Sequence, residues 1–378
     1  MPDPRVHKKA FRREFGFYFD PTKSTSGQRF FGALCRELAR ESVPLNQRPT
    51  AVLFNVSASI KAMIKSKFHR QKIILRIDGL YFDRLSPVFL ATFNKPLRKV
   101  FSLVLRHCPR AHDFLAHFAN LINQNYGAFA RILLADRIIY QSRFSRKVHE
   151  RYFPRKRYNI IMNGATFRGK DPSRAQSGAD ALRLVTIHDE WKPAKRIHDL
   201  IEFVRWAREK KKVPVQLTIL GYTGKLAACS PSRVKKIIET ASFIRTLPKF
   251  KSFDGEILDA LCASDIYITF TYRDPCPNTV IEAMAHGLPV VGMASGGMPD
   301  IVGDAGVLLP SDDFAGGFFS PHRYECDFPP IDFEQMLDAV LKVSSGLSTF
   351  RARVRKRFET DLAINVVADR YISVMRSC

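Results

Sequence analysis

The 378-residue chain is 46% hydrophobic and 25% charged, which fits two domains with their own cores and excludes wholesale disorder. Its formal net charge of +24 is unevenly placed: residues 1–170 carry 33 Lys and Arg against 10 Asp and Glu, and the remainder carries 27 against 26. Seven cysteines without C-x-x-C pairing argue against a disulfide scaffold or zinc site and for reduced thiols. The basic N-terminus lacks the apolar core of a signal peptide, and no apolar run of about 18 residues predicts a transmembrane helix.

In chain order, residues 1–15 read as a basic lead-in and Phe15 to Asp20 as a first strand. A turn-rich loop from Pro21 to Gly27 precedes a helix from Gln28 to Arg40, with Phe31, Leu34, Cys35 and Leu38 on one face. Ala51 to Val56 is a strand followed by a Lys-rich helix. Lys72 to Gly79 is a stronger strand that ends in Arg76, Asp78 and Gly79. Polar groups at the C-terminal end of a strand are ligand-facing in an α/β sheet, although Asp78 also suits a helix cap or turn. Residues 94–133 are mostly helical. Lys95 to Arg106 is basic and amphipathic, which suits either an anionic membrane surface or a solvated helix with one core face. Ala135 to Ser142 and Ile160 to Ala165 are further strands, and the Gly/Ser/Asp/Arg-rich residues 166–181 read as a linker.

Beyond the linker, strands and helices alternate. Strands are expected over 182–187, 215–221, 243–247 and 266–270, with helices over 197–208, 231–240 and 256–262. Apolar strands alternating with helices predict a doubly wound parallel sheet. Residues 332–378 are helical, with the basic run Arg351 to Arg357 on a solvated face.

The most informative stretch runs from Thr271 to Asp300. A helix is expected from Pro277 or Asn278, stopped by Gly287 and Pro289. A short strand, Pro289 to Met293, leads through the turn Ser295-Gly296-Gly297 to another helix start at Met298. Two helix N-termini beside strand ends favour phosphate. The flanking carboxylates of Asp274 and Glu282 suit hydroxyl groups instead, so the combination suggests a sugar nucleotide. His286 reads as structural, Cys276 as a bystander, and His188 at a strand end is ambiguous. Clustered His/Asp metal spacing is absent, so no metal or other cofactor is expected.

Asp274-Pro-Cys-Pro-Asn-Thr-Val-Ile-Glu282, the following Gly287-Leu-Pro-Val and the Ser295-Gly-Gly turn together resemble the retaining glycosyltransferases of family 4. Ala135 to Ser142, Met162 to Ala165 and Trp191 to Arg196 add to the likeness. The resemblance implies the GT-B architecture: two Rossmann-like domains, parallel sheets facing across a cleft, with C-terminal helices returning to the first domain. The domains expected are 1–165, acceptor-side and basic, and 182–378, nucleotide-sugar-binding, joined by the linker 166–181.

By that resemblance Asp274 contacts the donor sugar and Glu282 the ribose hydroxyls. Asn278 and Thr279 hold the diphosphate through backbone N–H groups, and Lys192 and Lys195 neutralise it as it leaves. Asp78 occupies the place of a catalytic histidine, and Gly27 that of a glycine-rich loop. This chain departs from the pattern with Asp274 for Glu and Pro277 for Gly. Glu190 stands in the usual arginine position, which leaves Lys192 to substitute as a point charge rather than a bidentate fork.

The implied activity is transfer of a sugar from a nucleoside diphosphate sugar to an acceptor hydroxyl with retention of configuration. The acceptor would be a glycan, a lipid-linked sugar or another hydroxyl compound, anionic if the basic half binds it. A cytoplasmic location is expected, with peripheral contact on the inner membrane face. Two other classes stay open: another GT-B enzyme, an epimerase or inverting transferase, and a non-catalytic basic protein holding anionic membrane or nucleic acid. Nucleic acid is disfavoured because no recognition motif is present.

Overall fold

Near-continuous apolar strands require burial on both faces, and the chain meets that requirement with two parallel sheets covered by helices. The structure, a computed structural model, describes residues 15–18, 26–38, 50–78, 85, 87–108, 112–167, 181–188, 192–226, 230–250, 252–313 and 328–378. These fall into two compact units. The first holds the described residues of Met1–Met162 and Val367–Cys378, the second those of Asn163–Asp313 and Cys326–Val366.

In the first unit a five-stranded sheet runs in chain order: β1 (Phe15–Tyr18), β2 (Ala51–Asn55), β3 (Lys72–Arg76), β4 (Arg137–Tyr140) and β5 (Arg157–Ile160). Its helices are α1 (Ser26–Leu38), α2 (Ile60–Phe68), α3 (Pro87–Leu90), α4 (Lys95–His107), α5 (His112–Asn120), α6 (Tyr126–Leu134) and α7 (Arg143–Tyr152). A π-helical turn, Leu121–Asn125, joins α5 to α6. Val52, Phe54, Ile73, Leu75 and Ile138 form the sheet side of the core, against Phe89, Phe101 and Ile132.

The second unit carries six parallel strands in the order β11-β10-β9-β6-β7-β8. They are β6 (Leu182–Ile187), β7 (Val215–Tyr222), β8 (Ile244–Pro248), β9 (Ile266–Thr269), β10 (Val290–Met293) and β11 (Gly306–Leu309). The helices are α8 (Ile197–Glu209), α9 (Ser232–Thr240), α10 (Gly255–Cys262), α11 (Asn278–Ala285), α12 (Met298–Val302), α13 (Phe333–Ser345), α14 (Leu347–Arg357) and α15 (Ile364–Arg376). From Val367 on, α15 belongs to the first unit, where the Ser377 hydroxyl accepts from Arg137 at 2.7 Å. Its core gathers Leu184, Leu217, Ile219, Ile268, Phe270 and Val291 against Phe203 and Val340.

Four local expectations are corrected. The strand read over 160–165 lies instead at Arg157–Ile160, paired with β4. It is the edge strand, half exposed, so its residues need not be apolar. Strand β11 has no counterpart in the sequence reading. Gly27, read as a loop residue, lies in the first turn of α1, which starts at Ser26, while the loop before it falls outside the described residues. The basic run of α14 is not solely a solvated face. Arg351 donates to the Ser264 carbonyl at 3.3 Å, and Arg357 donates to the Ile301 carbonyl at 3.1 Å and to that of Asp300. Arg357 thereby supplies donors to carbonyls of α12, whose last turn has no partners within the helix.

Candidate functional site

The second sheet reverses its strand order between β6 and β9. From β6 the chain builds outward through β7 and β8, and from β9 outward through β10 and β11 on the other side. Loops leaving the C-terminal ends of these two strands diverge, and the crevice between them is where open α/β sheets take ligands. The predicted second-domain site residues fall on these two loops and the helix that follows β9.

After β6 a short turn, Pro193–Lys195, ends at Arg196. Arg196 has φ 51°, a left-handed conformation unusual outside glycine, and its buried guanidinium is paired with Asp199 at 2.7 Å. After β9, the Tyr272 N–H donates to the Ala194 carbonyl at 2.8 Å, which stitches the two loops together. Lys195 Nζ then reaches Asp274 Oδ2 at 2.8 Å. The structure thus brings Lys195 and Asp274 together across the switch point. Lys192 precedes the same turn and is exposed.

Asp274 is fixed from three sides. Its Oδ1 accepts from the Cys276 N–H at 3.1 Å, its Oδ2 from Lys195, and its carbonyl from the Gly297 N–H at 2.8 Å. Gly296, with φ 63°, lies so close that a Cβ there would sit 2.1 Å from the Asp274 carbonyl oxygen. The glycine turn is clamped in turn by Asp313, just beyond β11. Asp313 accepts from the Ser295 hydroxyl at 2.5 Å and the Gly296 N–H at 2.6 Å. The Ser295 hydroxyl also accepts from the Arg273 N–H at 2.7 Å. Burial pushes the Asp313 carboxyl above its ordinary range, with the hydrogen bonds from Ser295 and Gly296 pulling the other way.

Helix α11 starts at Asn278 after Pro277, and no side chain caps it. Asn278 Oδ1 accepts from the buried Asn163 amide at 2.6 Å. Thr279 Oγ1 accepts from the Tyr267 hydroxyl of β9 at 3.0 Å. Both side chains are tied back into the unit, so the first-turn N–H groups are held in place. Glu282, one turn on, is partly buried, and Tyr267 feels the charges of both Lys195 and Glu282 while burial raises its hydroxyl to about 12. His286 packs between the rings of Phe253 and Phe167, the structural place its sequence suggested.

In the first unit Asp78 lies just beyond β3. Its Oδ1 accepts from Arg76 and, at 2.6 Å, from Gln141 beyond β4. Arg76 itself is buried over the rings of Phe30 and Phe31. Asp78 is therefore a fixed, half-exposed carboxylate at a strand's C-terminal end. Among the described residues no group of three or more His, Cys, Asp or Glu could hold a metal, and no helix is long and apolar enough to cross a membrane.

Residues 182–320 match the family model described as "Glycosyl transferases group 1". This stretch is thus similar to the group 1 glycosyltransferases. A curated relative, N-acetyl-alpha-D-glucosaminyl L-malate synthase of Bacillus anthracis, is 24% identical over 163 residues, which is 42% of this chain and 41% of that protein. Solved structures align over most of the chain at low identity. The pneumococcal O-GlcNAc transferase GtfA, bound to UDP and GlcNAc, has a TM-score of 0.56 and 13% identity over 86% of this chain and 56% of its own. Sucrose-phosphate synthase from Thermosynechococcus elongatus gives 0.54 and 16% over 93% and 79%. Anabaena HepE with UDP-glucose gives 0.52 and 14% over 92% and 82%. The chain thus spans about half the length of the malate synthase and of GtfA. These likenesses show the GT-B class of fold.

The site carries residues that sequence reasoning passed over. Asp313 was hidden because β11 before it was not recognised. Arg196 gives no signal, because nothing in its side chain announces a left-handed backbone. Tyr267 reads only as an apolar strand residue, although an alternation of Tyr267 and Thr269 with isoleucines places polar groups on one face of β9.

Proposed function

We propose that the chain transfers a sugar from a nucleoside diphosphate sugar to an acceptor hydroxyl, with retention at the anomeric carbon. The observation that carries this reading is the Lys195–Asp274 pair at the switch point, beside the uncapped start of α11. A cation and helix N–H groups stabilise charge that develops on a leaving diphosphate. Lys195, Lys192 and the N–H groups of Asn278 and Thr279 fill that role. The Asp274 oxygens keep lone pairs for donor-sugar hydroxyls, and Glu282 accepts from the ribose. As the anomeric carbon's bond to the diphosphate oxygen breaks, the acceptor oxygen bonds to the same face. The acceptor's proton passes to the departing diphosphate. Asp78 is assigned to the acceptor side, as a carboxylate held in place by Arg76 and Gln141. No metal is assigned a part.

The acceptor reading extends to a lipid surface. Helix α4 contains no acidic residue and exposes Lys95, Arg98, Lys99 and Arg106. It also exposes Val100 at 56% and Leu103 at 59%, with Phe101 buried in the core. An anionic glycan or nucleic acid would engage the cations and leave Val100 and Leu103 in water. An anionic bilayer surface takes both. Sedimentation with phosphatidylglycerol-containing vesicles tests this: binding should be lost in Val100→Glu with Leu103→Glu. Binding to nucleic acid without vesicle binding would refute it.

The main test incubates the protein with UDP-, GDP- and ADP-sugars and follows nucleoside diphosphate release and the product's anomeric proton by NMR. An α-donor should give an α-product. A β-product would make the enzyme inverting, an epimerised donor would make it an epimerase, and no release of any diphosphate would overturn the reading.

A further inference from the structure

One buried polar group at the switch point has no part in the reading above. His188 directly follows β6, and its N–H donates to the Leu220 carbonyl at 2.8 Å, so it continues the strand. It therefore stands at the C-terminal end of the strand that borders the crevice. The residue is 2% exposed. Thr186 and His188, two apart on one strand, face the same side, and Nε2 lies 2.9 Å from Thr186 Oγ1. The other ring nitrogen, Nδ1, meets no hydrogen-bond partner among the described residues. Buried polar groups without partners are rare, and one at a ligand-facing strand end calls for a ligand.

Burial, with the neighbouring Lys195 charge adding to it, holds the imidazole down to about 3, so the ring is neutral at physiological pH. A neutral ring carries one proton. Taking the Thr186 hydroxyl as the donor to Nε2 puts that proton on Nδ1, which is then a donor. A neutral donor next to Lys195 suits an anion already balanced in charge by the lysine.

We propose that His188 is a binding residue of the donor site, its Nδ1–H donating to a phosphate oxygen of the nucleoside diphosphate beside Lys195. This rests on the donor reading of the site.

The test is titration calorimetry with UDP, ADP and GDP on the whole chain and on His188→Ala, His188→Asn and His188→Gln, with thermal unfolding of each. The Asn amide nitrogen lies near the place of Nδ1, and that of Gln near Nε2. His188→Ala and His188→Gln should weaken the best-bound diphosphate about tenfold, a loss of about 1.4 kcal/mol. His188→Asn should stay within about threefold of the original at an unchanged or lower melting temperature. A merely structural role would make affinity follow melting temperature rather than the position of the nitrogen. ¹⁵N NMR of histidine-labelled protein gives a second readout: Nδ1 should be the protonated nitrogen and should shift on adding the diphosphate. Equal affinity across the variants, or a proton on Nε2, would overturn the role of His188 while leaving the donor site standing. Absence of binding by the original chain would overturn the donor reading and the His188 assignment with it.

Discussion

Replacing Gly296 by alanine strikes the packing that sets Asp274. Gly296 has φ 63°, where an L-residue other than glycine pays roughly 1–2 kcal/mol. The added Cβ would lie 2.1 Å from the Asp274 carbonyl oxygen and 2.7 Å from its nitrogen. Both are backbone atoms, so relief requires the Asp274 loop to move, at roughly 1–3 kcal/mol for overpacking. The Gly297 N–H bond to the Asp274 carbonyl is strained by the same movement, a further loss of about 1 kcal/mol. Together these come to roughly 3–6 kcal/mol. Gly224 provides the control, since it has φ 75° but a Cβ there would meet nothing within 4 Å. Gly224→Ala should lose only the conformational part, roughly 1–2 kcal/mol. Trp206 lies on α8 of the second unit, so urea unfolding followed by tryptophan fluorescence reports on that unit. Equal destabilisation of the two variants, within about 0.5 kcal/mol, would refute the close approach and with it the anchoring of Asp274.

Lys195→Ala should cost about 1 kcal/mol of stability or less, because the pair with Asp274 is partly exposed, yet lower turnover by roughly 100-fold or more; loss of both in proportion would mark the pair as structural. Arg357→Met removes donors to the carbonyls of Ile301 and Asp300 and should destabilise the second unit by roughly 1–3 kcal/mol in urea. Acid should weaken the fold through two buried histidines, His149 held to about 4 and His188 to about 3, each mainly by burial. Between pH 6.5 and those values the unfolded chain binds more protons than the folded one. Stability is therefore complete above pH 6.5 and falls as pH drops, by up to roughly 3 kcal/mol for His149 and roughly 5 kcal/mol for His188. Urea unfolding from pH 7 to 5 should show the fall, and His149→Gln should flatten it.

The parallel sheets were legible because buried strands such as Ala51 to Phe54 and Ile73 to Leu75 are apolar without alternation. The edges were not. Half-exposed β5 carries Arg157 and Tyr158, and β11 is a short, half-exposed strand without a charge or turn signature of its own. In the site, Asp274 and α11 could be read from Pro277 and Gly287, whose backbone demands are local. The Lys195–Asp274 pair joins residues 79 positions apart and needs the strand order to be known. The clamp of Asp313 on the glycine turn and the unpartnered nitrogen of His188 are properties of packing. No local pattern encodes them.

Equilibrium binding of nucleoside diphosphates to the intact protein, compared with Lys195→Ala and Glu282→Ala, tests the donor site most directly. The expected result is binding by the original chain and at least tenfold weaker binding by both variants, with melting temperatures little changed. No binding by the original, or the same affinity in all three, would contradict a donor site at the β6–β9 switch point.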